Sequence, residues 1–380
     1  MNLKLKVKNI DLKNDKLNMN QPINLTDYRA IARKVLQKEI FDFIDGGACD
    51  EITKYRNRRS FNEITIKPLC LRDVSDVDPS IKLMGNNLRF PALIGPTAFH
   101  QLIQQAGEIA TARAAKLCSI PMIVSTMSNH SLEEIASQSL HNNLWLQTYI
   151  FKNRELTESL IRRAEKAGYK AIVITVGSPQ MGKRDRDIRN SFVLPSELTT
   201  GNFESPKANI NNMLIYKFAE SELDPSATWD DIRWVQSLTK LPILLKGIMN
   251  ILDAEKACRL NLAGIIVSNH GGRQLDTTEA TISVLPAIVK TVNSRILVMM
   301  DSGIRRGTDV FKAIALGADA ILLGRPILWA LAASGESGVV KALDILKEEF
   351  EISLKLSGCC NIQEIRKYSP NIINNNKVSS

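Results

Sequence analysis

Eight short apolar runs punctuate the chain, and the stretches between most of them carry helical spacing. The runs start near residue 91 (Pro-Ala-Leu-Ile-Gly), 122 (Met-Ile-Val-Ser), 144 (Leu-Trp-Leu-Gln), 171 (Ala-Ile-Val-Ile-Thr), 242 (Pro-Ile-Leu-Leu-Lys), 264 (Gly-Ile-Ile-Val-Ser), 296 (Ile-Leu-Val-Met-Met-Asp) and 320 (Ala-Ile-Leu-Leu-Gly). They are continuous rather than alternating, as strands buried on both faces must be. Helical segments fall at 108–117, 154–167 and 309–316, and two more, at 26–38 and 40–45, precede the first run. Asn24 or Thr26 is placed to cap the earliest helix. Residues 1–24 are rich in Lys and Asn without periodicity and read as a tail; 367–380 reads as a second one.

Eight buried strands alternating with helices predict an α/β fold, a (β/α)8 TIM barrel over 25–366 with an N-terminal helical segment. A doubly wound open sheet is the rival, weakened because no G-x-G-x-x-G follows the first strand. The gap after the fourth strand, about 177–241, is long and holds Gly, Asn, Ser and Pro around 195–212. A segment of that kind inside a compact barrel is expected to be a lid or binding loop.

Each run ends in something polar or small: Thr97, Ser125, Gln147 with Tyr149, Thr175, Lys246, Ser268 with His270, Asp301, and Gly324 with Arg325. Barrel enzymes carry their chemistry at these C-terminal strand ends. The sixth end is the most informative, because Ser268-Asn269-His270-Gly271-Gly272-Arg273-Gln274 sets a proton acceptor three residues from an anion-gripping guanidinium on a glycine-flexed loop. The last two ends, Asp301-Ser302-Gly303-Ile304-Arg305-Arg306-Gly307 and Gly324-Arg325-Pro326, join glycines to arginines where this architecture binds phosphate. Lys246 closes an otherwise apolar strand, and a buried ammonium needs an anion or a polarised acceptor.

Composition narrows the classes further. Hydrophobic residues are 44% and charged residues 23%, ordinary for a soluble globular chain. The net charge is +9, but Lys and Arg are interleaved with Asp and Glu, which fits a basic enzyme with anionic ligands better than a nucleic-acid binder. Six cysteines at 49, 70, 118, 258, 359 and 360 form no C-x-x-C pair; they are expected to be reduced, in a cytosolic compartment. No uncharged run approaches a membrane span, the first residues do not read as a secretory signal, and no histidine spacing suggests a metal site.

Taken together, these motifs identify the chain as resembling the FMN-dependent α-hydroxy acid oxidases and dehydrogenases, typified by glycolate oxidase and lactate oxidase. The resemblance rests on Ser268 to Gln274 with Leu275-Asp276, Asp301 to Gly307, Gly324-Arg325-Pro326, Gly95-Pro96-Thr97-Ala98 and Leu356-Ser357-Gly358-Cys359, and covers about 24–366. It implies an FMN enzyme that oxidises a 2-hydroxy acid, with His270 as base. Arg273 and Arg184 would hold the substrate carboxylate and Tyr149 the substrate oxygen. Pro96, Thr97, Ala98, Ser125, Gln147, Thr175 and Ser268 would line the flavin, with Lys246 against its N1–C2=O edge. Asp301, Ser302, Gly303, Arg305, Gly324 and Arg325 would hold its ribityl chain and phosphate. A small-molecule partner with a carboxylate and a homotetramer are also implied. Type 2 isopentenyl diphosphate isomerases share the FMN barrel but are not expected to carry the Ser268–Gln274 loop.

The chain departs from that family at three places. Phe43 stands where the family usually has a carboxylate-binding tyrosine, Gly177 where it has an aspartate that steadies the catalytic histidine, and Met127 where glycolate-oxidase-like members often carry tryptophan. Two readings follow. One is a working oxidase or dehydrogenase with an enlarged, more apolar pocket for a bulkier 2-hydroxy acid or a related alcohol or amine. The other is an FMN-binding relative with little turnover and a structural or regulatory role.

Overall fold

The structure is a computed structural model that describes residues 21–140, 143–195, 198, 200–203 and 221–375. Eight parallel strands close into a barrel: Ala92–Ile94 (β1), Met122–Ser125 (β2), Leu144–Thr148 (β3), Ala171–Thr175 (β4), Ile243–Ile248 (β5), Gly264–Val267 (β6), Leu297–Met300 (β7) and Ala320–Leu323 (β8). Each coincides with one of the apolar runs. The runs are unbroken because inward side chains fill the barrel while outward ones meet the helices. Leu93, Ile123, Trp145, Val173, Leu244, Ile266, Met299 and Leu322 pack together as the inner cluster, and the hairpin of Ile81–Leu83 with Asn86–Leu88 adds Leu83 and Leu88 to it.

Side chains two apart on a strand share a face. Two positions beyond Ile123, Trp145, Val173, Leu244, Ile266 and Met299 stand Ser125, Gln147, Thr175, Lys246, Ser268 and Asp301. The apolar filling of the barrel therefore gives way to a polar layer at the C-terminal ends. Strand register sets these residues side by side, Ser125 against Gln147 and Thr175 against Lys246.

Among the described residues, three helices precede the barrel: Leu25–Val35 (α1), Lys38–Asp45 (α2) and Ile52–Glu63 (α3). Asn24 caps α1, its side chain accepting from the N–H groups of Thr26 and Asp27. Ion pairs lock α2 and α3 to the loop after β4. Asp45, 1% exposed, is gripped by Arg29 at 2.7 Å and Lys54 at 3.2 Å. Arg186 reaches from that loop to Glu51 at 2.7 Å and Asp42 at 3.2 Å. Burial alone would raise the Asp45 carboxyl, but these cations hold it well below the usual carboxylate range.

The C-terminal boundary differs from the sequence reading. Helix Ile362–Ile372 runs through position 366, and Ile373–Asn375 pairs antiparallel with Ile64–Ile66. Residues 367–375 thus belong to the fold: Ile362, Ile365 and Ile372 give the helix a buried face. The N-terminal tail lies outside the described residues up to position 20, and so does much of the expected lid, including 204–220. The described parts of that segment hold helices Asp185–Arg189 and Trp229–Leu238. All six cysteines are free, and among the described residues no helix is long and apolar enough to cross a membrane.

Candidate active site

The loop after β6 is held in an uncommon backbone conformation. His270, Gly271 and Gly272 have φ values of 56°, 67° and 71°, all in the left-handed region. A histidine there is strained unless its surroundings over-determine it. The N–H of His270 donates to Ser268 Oγ at 3.1 Å, that of Gly271 to Ser302 Oγ at 3.1 Å, and that of Gly272 to Asn269 Oδ1 at 3.2 Å. Asn269 exchanges two amide hydrogen bonds with Asn57 of α3, at 2.8 and 2.7 Å. A Cβ on Gly272 would lie 2.6 Å from the Lys54 nitrogen, so only glycine allows the loop to sit this close to α3.

The loop after β4 is stitched to the same turn. Gln274 accepts the Gly182 N–H through Oε1 at 2.6 Å and donates through Nε2 to Ser178 Oγ at 2.7 Å. Ser178 Oγ in turn lies 3.4 Å from His270 Nδ1. Gly177, next to it, packs backbone to backbone on β5: a Cβ there would meet Gly247 Cα at 3.0 Å.

Apart from Ser268, every site residue expected from the sequence lines one cavity at the C-terminal ends of the strands. This holds for His270, Tyr149, Arg184, Arg273, Phe43 and Met127, and for the strand-end and phosphate-loop residues. Ser268 lies behind the wall, 2% exposed, where it accepts from Lys246 Nζ at 2.8 Å and donates to Asp301 at 2.8 Å. Lys246 also pairs with Asp301 at 2.8 Å. Gly177 does not line the cavity.

Cations dominate the site. Arg273 Nη1 donates to the carbonyls of Phe43 at 2.7 Å and Gly46 at 3.0 Å. Arg325 donates to Ile44, Gly46 and Gly271 at 3.1, 2.6 and 2.8 Å. Both thus hold the C-terminal, negative end of α2. Desolvation pushes the His270 imidazole well below its ordinary 6.5, and Lys246, Arg184, Arg273 and Arg325 push it further. Desolvation raises the Tyr149 phenol, against the pull of Arg184 and Arg273. Arg305 is driven down to about 9 by burial and then by Arg325 and Arg58. Guanidinium stays protonated in proteins, so this shift measures how strongly the pocket calls for an anion.

The remaining wall is aromatic and, apart from Phe43, was not legible from motifs. Phe43 stacks on Phe192, with centroids 4.6 Å apart and planes 14° apart, and tilts against Phe99 at 6.4 Å. The Arg273 guanidinium lies 5.3 Å over the Phe43 ring. Phe151, Met181 and Leu223 complete the apolar side.

A closed barrel with a strand-end histidine, a lysine in the polar layer and a Gly/Arg anion cradle after β7 and β8 is the frame of a barrel enzyme that anchors a phosphate-bearing ligand. The comparisons name the group. The sequence profile of the FMN-dependent dehydrogenase family matches residues 32–373, and the chain belongs to that family. The cofactor is FMN. The chain is 46% identical to a peroxisomal (S)-2-hydroxyacid oxidase of Arabidopsis thaliana over 350 residues, 92% of this chain and 96% of that one. It is 44% identical to 2-hydroxyacid oxidase 1 of Mus musculus, over 90% and 95% of the two chains. A crystal structure of mandelate oxidase with (S)-4-hydroxymandelic acid superposes with a TM-score of 0.87 at 40% identity, covering 93% of this chain and 98% of the other.

The residues present fit the cofactor. Burial lowers both Arg305 and Arg325, and Arg325 lowers Arg305 further, beside Gly303 and Gly324, a cradle that a phosphate dianion would relieve.

Proposed function

We propose that this protein oxidises a 2-hydroxy acid with an apolar or aromatic side chain to the 2-oxo acid. The observation that carries the reading is the convergence of His270, Arg184, Arg273 and Tyr149 on one cavity, above the polar layer that contains Lys246.

His270 takes the substrate's hydroxyl proton at Nε2, since Nδ1 faces Ser178. Arg273 and Arg184 grip the carboxylate, and the Tyr149 hydroxyl steadies the substrate oxygen. FMN, when bound, supplies the two-electron acceptor. Pro96, Thr97, Ala98, Ser125, Gln147 and Thr175 would flank its ring, while Ser302, Gly303, Arg305, Gly324 and Arg325 would hold its tail. Lys246, oriented by Ser268 and Asp301, offsets negative charge at the ring edge. Phe43, backed by Phe192, and Phe99 and Leu223 exclude water and favour a bulky apolar substituent.

Anaerobic addition of short, branched and aromatic 2-hydroxy acids to the yellow protein tests this reading. Bleaching that is fastest with the aromatic or branched acids supports it, and no bleaching by any hydroxy acid overturns it in favour of a flavin-binding relative without turnover. The proposal includes the cytosolic placement and the homotetramer expected from the sequence. The peroxisomal name of the plant relative makes a localisation of the tagged chain the needed check of the first, and light scattering reads the second.

A further inference from the structure

We propose that Ser178 is a positioning residue for His270: a neutral hydroxyl, fixed by Gln274, that holds the imidazole with Nδ1 protonated and Nε2 open to the substrate. This rests on the reading of His270 as the base. The geometry forms a short relay. Gln274 cannot flip, because its carbonyl oxygen accepts the Gly182 N–H at 2.6 Å, so its amide nitrogen donates to Ser178 Oγ at 2.7 Å. A hydroxyl has two lone pairs and one hydrogen. With one lone pair taken by Gln274, Ser178 keeps the other for His270 Nδ1, 3.4 Å away. Ser178 is 4% exposed and Gln274 8%, so water does not compete freely for that lone pair.

The charges around the ring select the tautomer. Lys246 on β5, Arg184 on the loop after β4, Arg273 on the histidine's own loop and Arg325 after β8 all push positive potential onto it. Asp301, after β7, is paired with Lys246 at 2.8 Å, and Lys54 of α3 with Asp45 and Glu51. Tyr149 faces the same cavity as a neutral phenol, its pKa raised. A lone pair directed at a cationic cavity is favoured over an N–H directed at it, so the N–H goes to the side where a hydroxyl waits. Gly177 makes the hydroxyl necessary, since it offers no side chain and its backbone closes on Gly247 at 3.0 Å from a would-be Cβ. When His270 takes the proton, Nδ1–H already has its acceptor, and no reorientation is needed.

The test is nitrogen-15 NMR of histidine-labelled, FMN-loaded protein. The chain has four histidines, and a His270→Gln variant assigns the signal. The expected result is an Nδ1–H tautomer for His270 in the wild type and in Ser178→Thr, which keeps the hydroxyl. In Ser178→Ala the tautomers mix and anaerobic flavin reduction slows by about tenfold to a hundredfold, the scale of a hydrogen bond to a charged group. Flavin content and affinity for a 2-oxo acid stay unchanged, which a general structural defect would not allow. An Nε2–H tautomer in the wild type overturns the proposal, and so does a Ser178→Ala protein with unaltered tautomer and rate. If no hydroxy acid reduces the wild type, the oxidase reading falls while the tautomer still reports on Ser178.

Discussion

Restoring a carboxylate at position 177 tests how this site manages a base without an anionic partner. In the wild type, desolvation and four cations depress the His270 pKa. The sign follows directly: the neutral, proton-accepting form persists on acidification, and kcat/KM falls only as pH drops through a value well below 6.5. Gly177→Asp adds one negative charge next in the chain to Ser178, whose Oγ lies 3.4 Å from His270 Nδ1. Unit charges 4 Å apart at an effective dielectric of about 20 attract by roughly 4 kcal/mol, and one pKa unit is about 1.4 kcal/mol, so about three units is the ceiling. The new Cβ meets Gly247 Cα at 3.0 Å and its carbonyl oxygen at 3.2 Å, so β4 and β5 must part by a few tenths of an ångström. That strain leaves an expected rise of about one to two units. The assay is kcat/KM against pH with one reactive hydroxy acid, alongside anaerobic reduction rates. The acid limb should move toward neutral pH, and above it the reduction rate should rise about tenfold through support of the imidazolium. An acid limb that stays in place, in a variant that keeps its flavin and melting temperature, refutes the account of the His270 environment.

Three more outcomes are expected. His270→Ala should keep its flavin yet lose about 10²–10⁴-fold in anaerobic reduction by substrate, read by stopped flow; wild-type reduction would dismiss it as the base. Arg305→Leu should weaken FMN binding by at least tenfold in apoprotein titrations, because the phosphate loses a charge-assisted bond, while riboflavin affinity stays unchanged. Asp45→Asn should destabilise the fold by about 3 kcal/mol at neutral pH by breaking a buried ion cluster. The folded-state pKa of Asp45 is depressed, so its stabilisation is present above the unfolded carboxyl pKa and fades as pH falls; the gap between variant and wild type should close in acid.

The barrel was legible because parallel strands buried on both faces leave an unmistakable mark, and each apolar run became a strand. Strand-end chemistry was legible for the same reason: counting two residues past Ile123, Trp145 or Leu244 lands on Ser125, Gln147 or Lys246. Helix α3 left no such mark. Its buried residues include Thr53 and Asn57, whose side chains meet hydrogen-bond partners rather than oil, and the small polar Ser60, so it shows no apolar stripe. Ser178 and Phe192 were equally silent. A hydroxyl after a glycine and a phenylalanine in a loop acquire meaning only when the loop after β4 folds onto the turn after β6. The tail assigned to 367–380 begins too early, because Pro370 and the Asn-rich end hid a helix that has isoleucines on one side.

The arginine proposed for the acid and the arginine proposed for the phosphate both hang on the last carbonyls of α2, with Gly46 shared between them. A guanidinium that turns toward its anion loosens a grip the other one also uses. Occupancy of one subsite is therefore felt at the other through a common anchor, and thermodynamic reciprocity makes the effect equal in both directions. Amide exchange at Gly46 and Gly47 would report that cross-talk without any turnover.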